Sequence, residues 1–213
     1  MGTLTVQPTD VLVVVDVQND FCEGGALAVP DGEGCIPAIN GLIDMFDAVV
    51  LTQDWHPVGH SSFASSHAGK SPFETVQMPY GEQVLWPNHC VQETYGAEFH
   101  PALNATKAAL IVRKGFRPKI DSYSTFYEND RQTATGLTGY LKGRGFTRVF
   151  LVGLATDFCV AWSALDGRSE GFDVVLVEDA CRAIDLDGSL DAALKAMADA
   201  GVVTCKSDEI LAA

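Results

Sequence analysis

The sequence has little positive charge and no long apolar segment. Its 14 Lys and Arg residues stand against 28 Asp and Glu residues, which gives a formal net charge of −14. Nucleic-acid binding needs clustered basic side chains, so this balance argues against a nucleic-acid partner. No stretch approaches the roughly twenty apolar residues that span a bilayer. The N-terminal segment lacks the basic and apolar regions of a signal peptide. We therefore predict a cytoplasmic protein with no membrane partner.

The chain also lacks any C-x-x-C pair. Its six cysteines are scattered over the sequence: Cys22, Cys35, Cys90, Cys159, Cys181 and Cys205. An even number of cysteines permits disulfides, but a chain without a secretion signal and with a full apolar core favours free thiols. We expect five of them to be small buried apolar side chains and Cys159 to be the exception.

Apolar residues make up 47% of the 213 residues, which is enough for one sizeable domain over residues 1–213. Continuous apolar runs, typical of strands buried on both faces of a parallel sheet, predict strands at Val11–Val15, Ala48–Thr52, Ala109–Val112, Val149–Val152, Val174–Val177 and Val202–Thr204. Amphipathic segments predict helices at Cys35–Phe46, Ala134–Arg144, Asp157–Glu170 and Ser189–Ala200, with Ser189 as an N-cap. Strand alternating with helix predicts a three-layer α/β/α sandwich around a mainly parallel six-stranded sheet.

One segment, residues 54–106, interrupts this alternation. It is rich in Pro, His and Ser, contains all five histidines, and has no strong helical or strand period. Loops of this length are uncommon inside compact domains and are usually functional. We therefore expect a long loop that binds metal and substrate.

Ionisable residues follow four of the apolar runs. Asp16 ends the first run, Asp54 follows the second, Lys114 follows the third, and Cys159 lies just past the fourth. In open parallel sheets, ligands bind in the crevice at the carboxyl ends of the strands. We therefore expect these four side chains to meet on one rim of the protein.

Cys159 is the strongest candidate for a nucleophile. It lies in the first turn of a predicted helix, with Thr156 or Asp157 as the cap, directly after a strand. A helix N-terminus lowers a thiol pKa, and its free N–H groups can hold an oxyanion. Asp16 is placed to take the thiol proton, and Lys114 to stabilise the thiolate. Singly, these two could be an ordinary loop carboxylate and a strand-end lysine; together on one rim with the thiol they favour catalysis.

Metal-ligating residues cluster in the long loop. Asp54 and His56 are two positions apart, so on extended backbone their side chains face the same way. His60 and His89 follow them. A carboxylate with imidazoles suits zinc, or iron or manganese in a more open site. A D-x-H pair alone is also explained by turn or capping roles, but the density of histidines favours a metal site.

Aromatic residues crowd the same segments: Phe21, Trp55, Phe63, Trp86, Tyr123 and Phe126. Most aromatic side chains in proteins belong to the core. Aromatic side chains on rim loops beside ionisable groups are what a pocket for a flat ring needs. The sequence therefore predicts a small-molecule substrate that contains such a ring.

Four strings carry a resemblance to a known family. DVQNDFC, QDWHP..H.SF, WPNHCV and GLATDFCV resemble the nicotinamidase/pyrazinamidase branch of the isochorismatase-like hydrolases. In the family order they extend from residue 11 to about residue 180, so the resemblance covers most of the chain. The branches of the isochorismatase-like superfamily differ at these strings, which makes the match specific.

The resemblance implies a role for each matching residue. Asp16, Lys114 and Cys159 match the catalytic triad, and the backbone N–H groups of Ala155 and Cys159 match the oxyanion hole. A cis peptide bond is implied between Leu154 and Ala155. The implied metal ligands are Asp54, His56 and His89, with His60 matching a ligand in some members and a neighbouring residue in others. The implied substrate pocket contains Phe21, Leu27, Trp86 and Tyr123.

The reaction implied is hydrolysis of a small carboxamide, such as nicotinamide or pyrazinamide, through a thioester on the cysteine. One divalent metal, most simply Zn²⁺ with Fe²⁺ or Mn²⁺ as alternatives, would position the pyridine ring. Sister branches act on isochorismate, carbamoyl or ureido compounds, but they lack either the nucleophilic cysteine or the metal set. A non-catalytic metal-binding protein and a thiol redox protein are the alternatives of other classes. The sequence leaves open whether the chain is a homo-oligomer.

Overall fold

The computed structural model describes residues 3–212, so residues 1, 2 and 213 of the predicted domain lie outside it. A central sheet of six strands is parallel throughout. In spatial order its strands are β6 (Leu110–Lys114), β3 (Val49–Asp54), β2 (Asp10–Val15), β7 (Arg148–Leu154), β8 (Asp173–Arg182) and β9 (Val203–Cys205). Strands β1 (Leu4–Thr5) and β10 (Ile210–Leu211) pair with each other, and β4 (Thr75–Met78) pairs with β5 (Gly81–Val84).

Four α-helices flank the sheet and complete the predicted three-layer sandwich. They are α1 (Ile36–Met45), α2 (Leu137–Gly143), α3 (Ala161–Ser169) and α4 (Ser189–Asp199). A π-helical turn, Thr156–Val160, leads into α3, and short 3₁₀ turns occur in the connections. None of the helices in the described part of the chain is long and apolar enough to cross a membrane.

The apolar runs of the four inner strands form the buried centre of the sheet, whereas the edge strands β6 and β9 are partly exposed. Every residue of β2 and of β3 is buried, because the sheet is covered on both faces. Strands β3 and β6 continue beyond their apolar runs, so that Asp54 and Lys114 are their last residues. These two residues are paired in register, which places a carboxylate beside an ammonium at the carboxyl edge of the sheet.

The prediction of a loop without strands over residues 54–106 is wrong in one respect. This segment contains the antiparallel hairpin β4–β5. Its strands have only four residues each, and Gln83 is the one buried residue among them. A hairpin that buries so little apolar surface leaves almost no hydrophobic alternation for sequence analysis to detect.

Two predicted helix caps are also wrong. Gly188, with a positive φ of 83°, precedes α4, and Ser189 is the first residue of that helix. The turn before α3 is capped by Ala155, and neither Thr156 nor Asp157 caps it. The Asp157 carboxylate instead accepts hydrogen bonds from the backbone N–H groups of Ile184 and Asp185 and from the Ser189 hydroxyl. These side chains therefore form tertiary hydrogen bonds in place of the capping bonds that their sequence positions predict.

Gly153 is a point at which β7 tolerates no side chain. Its φ is 112°, and a Cβ atom there would lie 2.1 Å from the carbonyl oxygen of Val15 on β2. We expect Gly153→Ala to lower the free energy of unfolding by at least about 2 kcal/mol, because it adds both backbone strain and a clash with a buried strand. Urea unfolding measures this.

The control is Gly139→Ala in α2, where an added Cβ meets nothing within 4 Å. Since alanine is the better helix former, this variant should be as stable as the wild type or more stable by up to about 1 kcal/mol. Equal stability of the two variants would contradict the role assigned to Gly153.

Candidate active site

Four neighbouring strands deliver the candidate catalytic groups to one edge of the sheet. Lys114 and Asp54 end β6 and β3, Asp16 directly follows β2, and Cys159 lies in the π-helical turn after β7. All four side chains are buried. The predicted meeting of these residues on one rim is therefore confirmed.

The Lys114 ammonium lies at the centre of this group. Its Nζ atom is 2.7 Å from Oδ2 of Asp16, 2.5 Å from Oδ1 of Asp54 and 3.4 Å from Sγ of Cys159. It also donates a 2.9 Å hydrogen bond to the carbonyl oxygen of Ser122. Burial by itself would lower the lysine pKa, but the two carboxylates raise it well above its usual value. Lys114 is therefore a permanent cation beside the thiol.

The two oxygens of the Asp16 carboxylate have different partners. Its Oδ1 accepts a 2.6 Å hydrogen bond from the hydroxyl of Thr52, and its Oδ2 forms a 2.7 Å ion pair with the lysine ammonium. Burial raises the pKa of Asp16 to about 6, against the opposing effect of Lys114. This carboxylate is a stronger base than an ordinary aspartate, and it lies within 4.8 Å of Sγ of Cys159.

The prediction that the helix terminus lowers the thiol pKa is not met. Burial raises the pKa of Cys159 well above its usual value, and the Asp16 and Asp54 carboxylates raise it further while Lys114 opposes them. The resting group is therefore the neutral thiol. A nearby base must remove its proton as it reacts, and Asp16 is the carboxylate in place to do so.

The chain turns sharply between β7 and Cys159. The peptide bond between Leu154 and Ala155 is cis, as the resemblance implied. Ala155 and Cys159 line the same cavity. All six cysteines are unpaired, and the five others are buried as expected.

A second cluster of ligand atoms adjoins the first through Asp54. Its Oδ2 lies 3.6 Å from Nε2 of His56 and 3.7 Å from Nε2 of His89, beyond hydrogen-bond distance. The Nδ1 atoms of these two histidines donate to the carbonyl oxygens of Gly115 and Pro87, both at 2.8 Å. Their Nε2 atoms therefore face the carboxylate oxygen, and in the neutral rings these are the atoms that carry the lone pairs. Nε2 of His56 is buried without a hydrogen-bond partner in residues 3–212. This arrangement fits a cation.

His60 is not brought into that cluster. Its Nδ1 accepts hydrogen bonds from the hydroxyl and the backbone N–H of Ser62, at 2.7 and 3.2 Å. Its Nε2 therefore carries the proton, which it donates to the carbonyl oxygens of Arg117 and Ile120 at 2.9 and 3.2 Å. Burial and the neighbouring His56 lower the pKa of His60, in keeping with a neutral ring. With both nitrogens engaged by protein groups, no lone pair is left for a metal.

A cavity with an empty volume of about 330 Å³ joins the two clusters. Asp54, His89, Ala155 and Cys159 line it, together with the four residues predicted for the pocket, Phe21, Leu27, Trp86 and Tyr123. The rings of Trp86 and Tyr123 meet edge to face with centroids 6.2 Å apart. The apolar walls of this cavity suit a small ring.

Three further residues of the cavity wall were missed by sequence analysis: Asp121, Phe158 and Ile184. The ring of Phe158 lies 4.9 Å from that of Trp86. Its position directly before Cys159 in the sequence could have indicated a place in the cavity wall. Ile184 reaches the wall because Asp157 accepts a 3.0 Å hydrogen bond from its backbone N–H. That pairing across 27 residues has no local sequence signal.

A thiol, a carboxylate and an ammonium buried at the carboxyl edge of a parallel sheet form a constellation typical of α/β enzymes that use nucleophilic catalysis. The chain belongs to the isochorismatase family, whose Isochorismatase domain model matches residues 10–209. A nicotinamidase of Acinetobacter baylyi is 57% identical over 94% of this chain and 94% of its own length.

Solved structures give the same result. A nicotinamidase and pyrazinamidase of Acinetobacter baumanii superposes with a TM-score of 0.94, at 58% identity over 95% of this chain and 98% of its own. A protein of L. infantum in complex with nicotinate has a TM-score of 0.87, at 41% identity over 99% and 100%. A pyrazinamidase of Pyrococcus horikoshii in complex with zinc has a TM-score of 0.76, at 35% identity over 93% and 99%.

Proposed function

We propose that the protein hydrolyses nicotinamide, and pyrazinamide as a close analogue, to the corresponding acid and ammonia through a thioester on Cys159. The observation that carries this is one apolar cavity lined by Cys159, Asp54 and His89. Lys114 contacts Asp16 and the thiol, and His56 completes a group of possible metal ligands with Asp54 and His89. The nicotinamidases and the nicotinate complex among its relatives support the choice of a pyridine carboxamide.

Asp16 begins the reaction by accepting the proton of the Cys159 thiol on its carboxylate. The thiolate of Cys159 attacks the carboxamide carbon, and the backbone N–H groups of Ala155 and Cys159 stabilise the oxyanion. The protonated Asp16 then gives its proton to the departing ammonia, which leaves a thioester. Asp16, again a carboxylate, takes a proton from the water that attacks the thioester carbon. The C–S bond then breaks, the acid leaves, and Asp16 returns the proton to the Cys159 thiolate. Throughout these steps the Lys114 ammonium offsets the negative charge that forms on sulfur.

Asp54, His56 and His89 would hold one divalent metal ion, with zinc favoured and iron or manganese as alternatives. Two neutral imidazoles and a carboxylate suit zinc, and a zinc complex of a related pyrazinamidase supports that choice. When bound, the ion would supply a Lewis-acidic partner for the pyridine nitrogen of the substrate. His89 and Asp54 line the cavity, so the ring would be oriented from that end while its amide faces Cys159.

The direct test is ammonia release from nicotinamide, with benzamide as the matched analogue that has C–H in place of the ring nitrogen. We expect kcat/KM for benzamide to be lower by about ten- to a hundredfold, since one buried polar partnership of the ring is lost. Cys159→Ala should abolish turnover, and Cys205→Ala, which removes another buried thiol, should not. Turnover of nicotinamide by Cys159→Ala would refute the thioester, and equal efficiency on benzamide would remove the metal from ring recognition.

The pKa of the proposed base, Asp16, predicts where activity is lost on the acid side of the pH profile. Asp16 must be ionised to accept the thiol proton, and burial raises its pKa to about 6. Activity is therefore present above that pH and falls as the pH drops through about 6. The profile of kcat/KM for nicotinamide measures this, with circular dichroism at each pH to confirm that the fold persists. A limb near pH 4, where an ordinary aspartate titrates (about 3.9), would exclude Asp16 as the base.

Metal content separates the ligands from their neighbours. We expect His89→Ala to lose its bound metal, because it removes one of three ligands, and His60→Ala to retain it, because both His60 nitrogens already serve protein groups. Elemental analysis of protein purified without added ions measures this, and His67→Ala, in the same segment, is the control. Metal loss in His60→Ala equal to that in His89→Ala would make His60 a ligand.

A further inference from the structure

The hairpin β4–β5 buries one side chain, and it is an amide. All other residues of its two strands are exposed or half-buried, whereas Gln83 is 1% exposed. A primary amide without hydrogen bonds is costly to bury, so its partners define its purpose. Two of them, the Tyr80 hydroxyl and the Val84 carbonyl oxygen, belong to the hairpin itself, and the others lie in the chain segment that carries Tyr123.

Three contacts join the Gln83 amide to that segment. Its Nε2 atom lies 2.7 Å from Oδ2 of Asp121 and 2.9 Å from the hydroxyl of Tyr123. Its Oε1 atom accepts a hydrogen bond from Nδ2 of Asn129 at 3.1 Å. The Oδ1 atom of Asn129 in turn accepts from the backbone N–H of Tyr123 at 2.9 Å. The tyrosine is therefore held at its hydroxyl by Gln83 and at its backbone by a residue that Gln83 also holds.

This network ends on the wall of the substrate cavity. The hydroxyl of Tyr123 also accepts a 3.1 Å hydrogen bond from the indole N–H of Trp86, and both rings line the cavity with Asp121. Gln83 itself makes no hydrogen bond to Asp16, Lys114 or Cys159 among residues 3–212. The amide can therefore influence how a ring is held without touching the reacting atoms.

We propose that Gln83 is a positioning residue that fixes the Trp86–Tyr123 wall and thereby determines how tightly the substrate ring is bound. The inference rests on the proposed function, since it concerns the pocket for a pyridine carboxamide. The hairpin delivers this amide to the cavity from a part of the chain about forty residues before Tyr123. The expected signature is a change in KM rather than in kcat, because the wall contacts substrate and transition state alike.

The experiment compares Gln83→Leu with Gln77→Leu, the same substitution at an exposed glutamine of the same hairpin. For Gln83→Leu we expect KM for nicotinamide to rise by about tenfold or more, with kcat within about twofold of the wild type. Gln77→Leu should leave both parameters unchanged. A purely structural defect would instead lower kcat and metal content together, through loss of folded enzyme.

A double-mutant cycle with Tyr123→Phe tests the route of the effect. Tyr123→Phe should raise KM by itself, and its combination with Gln83→Leu should be no worse than the poorer single variant, because both break the same contact. An unchanged KM in Gln83→Leu, or additive effects in the double variant, would overturn the proposal. If Gln83→Leu does not fold, the test uses Tyr123→Phe by itself, and an unchanged KM in that variant would also overturn the proposal. Failure of wild-type enzyme to hydrolyse nicotinamide would instead refute the proposed function.

Discussion

The site depends on one buried ammonium. A lysine with no exposed surface is tolerated only when its charge is matched, and Lys114 is matched by Asp16 and Asp54. These three residues come from adjacent positions at the ends of β6, β2 and β3, so the ion pairs also tie the carboxyl edge of the sheet together. Two carboxylates against one ammonium leave a net charge of −1, which a divalent cation next to Asp54 would offset.

Asp54 links the two ends of the cavity. One of its oxygens contacts the Lys114 ammonium, and the other faces the Nε2 atoms of His56 and His89. Burial would raise the pKa of this carboxyl, but Lys114 and His56 lower it well below its usual value, so it stays ionised. A single carboxylate therefore connects the surroundings of the thiol with the candidate metal site.

The sequence predicted the sheet well because its evidence is local. Continuous apolar runs such as Val11–Val15 have one reading in an α/β chain, and strand ends in a parallel sheet share one edge. The positions of Asp16, Lys114 and Cys159 after such runs therefore predict that the three side chains lie together. Prediction from sequence failed where tertiary contacts outweigh local preference: Asp157 accepts hydrogen bonds from the loop around Ile184 and caps no helix, and the polar hairpin β4–β5 has too little apolar surface to be recognised.

The sequence by itself determined the fold class and the residues at the carboxyl edge of the sheet, because periodicity and strand order follow from the chain one segment at a time. Only the tertiary structure decided the ionisation of the site, since the pKa values of Asp16 and Cys159 depend on burial and on charges brought from other strands. It also decided which polar side chains serve one another. His60 is committed to carbonyl groups 57 and 60 residues away, and Gln83 to Asp121 and Tyr123 at 38 and 40. Such pairings are fixed by packing, and no spacing within a single segment encodes them.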